Sequence, residues 1–145
     1  MLSRTLICER LPHAGASCLL ECVSEWDAHG IRCTATSHHN PHNPLRNTDG
    51  LAAISGVEYA AQAIAVHRSL VFADPTPRAG FLAGLRNLGL AADWLHDLAG
   101  ALDIVATKVG DDSKGAIYDF RIEAADRLLL WGRATVIDRR APERA

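Results

Sequence analysis

The stretch LAAISGVEYAAQAIAVHRSLV, Leu51–Val71, decides how the rest of the chain must be arranged. It has no proline, a single glycine at Gly56, abundant alanine, and apolar residues at Leu51, Ile54, Val57, Ala61, Ile64, Ala65 and Leu70. Alanine is the best helix former and three-to-four spacing is the helical period, so one long helix is predicted over Leu51–Val71. Its small side chains, spread over several faces, let other elements come close. Such a helix is better wrapped by a sheet than laid on a surface. Asp49 is the predicted N-cap, which leaves backbone N–H groups at the helix start facing the loop before it.

Working outward, residues Ser17–Ser37 carry a short apolar run, a turn at Asp27-Ala28-His29-Gly30 and an alternating stretch from Ile31 to Thr36, which reads as a hairpin. Ser37–Gly50 is crowded with Pro, Asn and His and is predicted to be a loop. Past the breaker Ala73–Pro77 the pattern turns to strands: Gly80–Leu85 continuing towards Trp94, Ala101–Val109, Ala116–Glu123 and Leu128–Ile137. In the third of these Ala116, Tyr118, Phe120 and Ile122 share one face. Hairpin, loop, long helix and then consecutive strands make an α+β chain, not a doubly wound one. A curved antiparallel sheet around one central helix is the hot-dog architecture, here a single domain over 1–138 with a flexible tail at 139–145. The open edges of such a sheet predict at least a dimer.

A chain of 145 residues, with 15 Lys and Arg against 17 Asp and Glu, is of one-domain size and has no positive field for a nucleic-acid backbone. Its apolar runs fall short of a membrane span, and MLSRTLICER does not read as a signal peptide; a cytoplasmic location is expected. Cys8, Cys18, Cys22 and Cys33 lack the spacing of a CxxC site and are expected to be free thiols. No metal is expected, since the loop histidines have only Asp49 as an acidic neighbour.

The chemistry concentrates around the helix start. Glu58 shares a helical face with Ile54, Ala61 and Ala65, and a carboxyl buried there would favour its protonated form, which suits a general acid. Gln62 follows one turn later and could orient it by a hydrogen bond; the bland reading makes both part of a solvated stripe. His38, His39 and His42 precede the helix and could supply an imidazole base, with solvated loop histidines, a His-rich metal site, or residues that only cap or brace the loop as the alternatives. His13 and His29 read as turn residues, His96 as a surface residue and His67 as packed or hydrogen-bonded on the far side of the helix. Ser55-Gly56 lacks the context of a nucleophile elbow, and there is no phosphate-binding glycine loop.

Taken together, Leu11-Pro12-His13, the loop Ser37-His38-His39-Asn40-Pro41-His42-Asn43-Pro44-Leu45-Arg46 and the helix Gly56-Val57-Glu58-Tyr59-Ala60-Ala61-Gln62-Ala63 resemble hot-dog-fold 3-hydroxyacyl-ACP dehydratases. Gly80–Arg86 and Leu128–Ala134 strengthen the likeness to the branch found with bacterial aryl-polyene pathways. The resemblance implies Glu58 as the acid, Gln62 as its companion, and His42, in a His-x-Pro context, as the base. His38 and His39 stay open as alternatives. The family's Phe and first Gly after the His are replaced, its Met-Pro-Gly turn is absent, and Ala53 falls about where that turn's Gly would be.

The implied reaction is loss of water from a 3-hydroxyacyl thioester carried on the phosphopantetheine of acyl carrier protein, with no other cofactor. N–H groups at the helix start, at Gly50 and Ala53, would polarise the carbonyl. A homodimer, or a heterodimer with a homologous hot-dog subunit, is implied. Arg46 and Arg86, with Arg68 and Arg78, are candidates for carrier docking. The competing expectations are a hot-dog acyl thioesterase and a non-catalytic partner subunit.

Overall fold

The computed structural model describes residues 1–11, 17–72 and 80–138. A short strand β1 (Leu2–Ser3) and helix α1 (Arg4–Cys8) lead into the predicted hairpin, β2 (Cys22–Trp26) and β3 (Gly30–Ala35). The Asp27 carboxylate closes its turn by accepting the N–H groups of His29 and Gly30. One long helix follows, α2 (Gly56–Val71), then β4 (Gly80–Leu90), β5 (Leu102–Asp111), β6 (Gly115–Ala124) and β7 (Arg127–Asp138). The predicted tail 139–145, His13 and Arg78 lie outside the described residues.

All seven strands form one antiparallel sheet in the order β1-β2-β3-β5-β6-β7-β4. Register shifts occur in four of the strand pairs, for example between Leu82 and Gly84 and between Lys108 and Gly110; bulges of this kind bend strands and let the sheet curl. The inner face follows the period-two pattern: Leu102, Ile104 and Ala106 of β5 and Ala116, Tyr118, Phe120, Ile122 and Ala124 of β6 are buried, while Ile117, Asp119 and Arg121 point outward. Helix α2 lies against β3, β5 and β6 and buries Gly56, Tyr59, Ala60, Ala63, Ile64 and Val66. Gly56 marks its closest approach, because a Cβ there would stand 2.4 Å from Leu130 Cδ2. A curved sheet around one long helix is the hot-dog arrangement read from the sequence.

Two expectations need correction. The helix starts five residues late, since Leu51 and Ala52 are extended and only Ala53–Ser55 make a tight 3-10 turn before Gly56. The backbone of residues 51–53 is claimed by another segment: Leu95 donates to the Leu51 carbonyl, Ala53 donates to the Asp93 carbonyl, and Ala52 bridges to Trp94. The residue flanking the helix is therefore Ser55, not Asp49. The second correction is that Cys8 and Cys18 form a disulfide, with Cα atoms 5.7 Å apart, because α1 packs beside the chain entering β2. Cys22 and Cys33 are free thiols, and burial, with Cys22 nearby, pushes Cys33 up to about 12.

Candidate active site

Glu58 sits in the first turn of α2 and is exposed. The face expected to bury it is the one that this chain's own sheet leaves uncovered: Ile54 is 46% exposed, and Ala61 and Ala65 are half-buried. Its apolar character is as expected; among the described residues its cover is partial. An open cavity of about 480 Å³ adjoins this face, between Ala52–Ile54, the end of β4 at Leu90 and Arg127.

The histidine loop folds back over the helix start. Asn43, buried at 5% exposure, donates through Nδ2 to the Ser37 carbonyl (2.9 Å) and to the Tyr59 hydroxyl (3.0 Å), and accepts the Leu45 N–H at Oδ1 (2.9 Å). Tyr59, fully buried, is also 2.8 Å from Ser37 Oγ. Asn43 and Tyr59 are the chain neighbours of His42 and Glu58, so the loop turn carrying one is fastened to the helix turn carrying the other.

The three loop histidines have different surroundings. His42 is exposed, with its backbone N–H held by Asn40 Oδ1 at 2.9 Å. His39 is exposed and its Nε2 lies 2.6 Å from the Leu98 carbonyl, an arrangement that makes Nε2–H the donor. His38 has no exposed surface and stacks on His39 with ring centroids 3.8 Å apart. Burial and the neighbouring His39 hold its pKa below the ordinary value against the opposing pull of the Leu98 and Gly100 carbonyls, and neither ring nitrogen completes a hydrogen bond of good geometry.

Other predicted site residues are engaged elsewhere. Gln62 does not reach for the carboxyl in its observed bonds: Oε1 accepts the Leu19 N–H (2.8 Å) and Nε2 donates to the Ser17 carbonyl (2.6 Å), bracing the chain entering β2. Gly50 donates its N–H to the Asn47 carbonyl and Ala53 donates to Asp93, so neither N–H is left for an oxyanion. Arg68 is buried, ion-paired with Asp138 and stacked over Phe72, which removes it from any docking role. Arg46 is half-buried and Arg86 is exposed on β4. Among the described residues no group of three or more His, Cys, Asp or Glu is placed to hold a metal ion.

Two histidines are more involved than, or as involved as, their sequence context suggested. His67, fully buried, has Nδ1 2.6 Å from the Tyr118 hydroxyl and Nε2 2.8 Å from the Asp27 carbonyl, so it bridges helix, β6 and hairpin turn as a hydrogen-bonded residue. His96, expected at the surface, is half-buried: its Nδ1 accepts the Leu51 N–H at 3.0 Å and its ring lies over Gly50. Asn43, Tyr59 and His96 were missed as site-building residues. The one available signal was the density of hydrogen-bonding side chains in a loop that had to satisfy its own backbone.

A helix wrapped by a seven-stranded antiparallel sheet, with an acidic residue on its open face and a histidine loop fastened beside it, places the chain among the hot-dog proteins. The ApeP-like family, whose description is ApeP dehydratase, matches residues 5–144, and the chain belongs to that family. It is a dehydratase, in agreement with the aryl-polyene branch that the sequence resembles. A chain of the dehydratase heterocomplex ApeI:P from Xenorhabdus doucetiae is 24% identical, with a TM-score of 0.81 over 92% of this chain and 91% of that one. Thioesterase HI1161 from Haemophilus influenzae superposes at 0.62 with 14% identity, covering 95% and 91% of the two chains. The E. coli PaaI protein from the phenylacetic acid degradation operon does so at 0.57 with 13% identity, covering 81% of each. At these identities the structural likenesses speak for the fold. No curated protein matches the sequence significantly.

Proposed function

We propose that the substrate of this dehydratase is a 3-hydroxyacyl thioester on acyl carrier protein, and that His42 and Glu58 are its base and acid. The observation that carries this reading is the fastening of Asn43 to Tyr59, which brings together the loop turn and the helix turn next to both residues while leaving His42 and Glu58 exposed. A neutral imidazole at His42 removes the C2 proton. The electron pair left behind forms the C2–C3 double bond as the C3–O bond breaks, and the Glu58 carboxyl delivers its proton to the departing hydroxyl, which leaves as water. The imidazolium then returns a proton to the carboxylate. Nothing is oxidised or reduced, and no cofactor beyond the carrier's own pantetheine arm enters the balance.

A general acid must be protonated when substrate arrives. An exposed carboxylate in the first turn of a helix is stabilised as the anion by water and by the helix dipole. Removing water from the open face of α2 would shift the balance towards the acid form. A second hot-dog subunit is the natural cover. Among the described residues the edge strand β4 pairs on one side only, and it carries exposed Leu85, Leu88 and Leu90. The similar chain from Xenorhabdus doucetiae belongs to a dehydratase heterocomplex, which supports a partner subunit for this chain as well.

The test is conversion of carrier-bound 3-hydroxyacyl thioester to the conjugated enoyl thioester, with the chain alone and with a homologous hot-dog subunit. Glu58→Gln and His42→Ala are expected to lose about 10²–10⁴-fold in rate while keeping wild-type circular dichroism. Retained turnover in His42→Ala would move the base to His39, which is exposed, ahead of His38, which is not.

A further inference from the structure

We propose that Asn43, Tyr59 and Ser37 are positioning residues of this site, forming one directed relay that sets the His42 loop against the helix turn bearing Glu58. The proposal rests on the assignment of His42 and Glu58 made above.

The direction of every bond in the relay follows from donor counting. Asn43 Oδ1 accepts the Leu45 N–H, so the amide nitrogen is the atom facing Tyr59 and donates to its oxygen at 3.0 Å. The Tyr59 hydroxyl hydrogen then goes to Ser37 Oγ, 2.8 Å away, and the Ser37 hydrogen goes to the Leu19 carbonyl at 2.7 Å. Leu19 returns the connection to the helix, since its N–H donates to Gln62 Oε1. The loop, the chain before β2 and α2 are thus closed into a circuit that re-enters the helix one turn beyond Glu58. Gln62 acts on the backbone of that circuit rather than on the carboxyl.

Three features make this more than loop anchoring. The backbone hydrogen bonds of the loop segment 40–46, such as Asn43 N–H to Asn40 O and Arg46 N–H to Asn43 O, run within the loop, so its hydrogen-bonded tie to α2 is carried by the side chains of Asn43, Ser37 and Tyr59. Asn43 and Tyr59 are buried, where a hydrogen bond is stiff and an unmade one is costly. Each is also covalently adjacent to a proposed catalytic residue, so a shift of the relay becomes a shift of the acid–base pair. Effects of about 10²-fold are known from displacements near 1 Å.

The experiment measures kcat and KM separately for the full chain, with its partner subunit if turnover requires one, on a carrier-bound 3-hydroxyacyl thioester. The variants are Tyr59→Phe, Asn43→Ala, their double combination and Ser37→Ala, each checked for a folded far-UV spectrum and thermal midpoint. The expected result is a kcat lower by at least about tenfold in each single variant, with KM within about twofold. The double variant should fall little further than the worse single one, because both break the same relay. The proposal is overturned if kcat stays near wild type in folded Tyr59→Phe and Ser37→Ala, if losses only track the folded fraction, or if the single losses multiply. Should turnover instead survive in Glu58→Gln or His42→Ala, the assignment of the acid–base pair fails, and that failure is read from different variants.

Discussion

Gly50→Ala should be among the most damaging small substitutions in the chain, for two separable reasons. Gly50 has φ +124, a backbone conformation that residues with a side chain rarely adopt, and forcing alanine into it costs about 1–3 kcal/mol. A Cβ there would also stand 2.1 Å from His96 Cε1 and 2.3 Å from Nδ1, displacing the ring that accepts the Leu51 N–H. Loss of that bond adds about 1 kcal/mol, for a total of about 2–4 kcal/mol. His96→Ala alone should cost about 1 kcal/mol, and in its background Gly50→Ala should cost only the backbone part. Urea unfolding followed by circular dichroism, on the wild type, both single variants and the double, measures the coupling directly. A cost for Gly50→Ala below about 0.5 kcal/mol, or one indifferent to residue 96, would refute the account of how the helix entry is held.

Other outcomes follow from the same geometry. Reducing the Cys8–Cys18 bridge, or replacing both cysteines by serine, reopens a short loop and should lower stability by about 2–3 kcal/mol, seen as a drop in thermal midpoint that a dithiol reductant reproduces in wild type only. Burial holds the His67 pKa below its ordinary value although the Asp27 carbonyl opposes this, and His38 is shifted the same way. The unfolded chain therefore binds more protons below about pH 6.5, so stability should be full above that pH and decline as pH falls through the lowered folded values; His67→Gln should flatten the decline in urea titrations at pH 5.5 and 7.5. Arg68→Met removes the buried half of the Arg68–Asp138 ion pair and should cost about 1–3 kcal/mol, whereas Arg86→Met on exposed β4 should change the unfolding midpoint little.

Most of the strand and helix plan was legible because periodicity reports local geometry. Alternation at Ala116, Tyr118, Phe120 and Ile122 and the alanine-rich run through Ala60–Ala65 each specify an element with little help from the rest of the chain. What escaped was set by distant segments. Leu51 and Ala52 fit a helical period but lie in an extended strap because residues 93–95 pair with them, and nothing local distinguishes the two outcomes. The Cys8–Cys18 bridge likewise depends on where α1 packs, not on spacing. Histidines were the least legible residues: His38, His39 and His42 lie within five positions, yet one is sealed, one is bonded to a carbonyl and one is open.

Glu58 shows what apolar patterning can and cannot say about a site. Ile54, Ala61 and Ala65 mark its face as one to be covered, and a reading confined to a single chain turns that into burial beneath the chain's own sheet. The sheet in fact packs against the opposite side of α2, through Tyr59, Ala60, Ala63 and Val66, so the described residues leave the stripe holding the carboxyl largely open. The same side chains that make the stripe apolar also make it costly to leave in water, at about 25 cal/mol per Å². If Glu58 is the acid as proposed, a covering subunit would do two things at once: it would remove that apolar surface from water, and it would withdraw solvent from a carboxyl that has to be protonated to act. On the proposed roles, assembly and acidity would be one equilibrium seen from two sides, and a variant that weakens the association should lose activity on the alkaline side of its pH profile before it loses its fold.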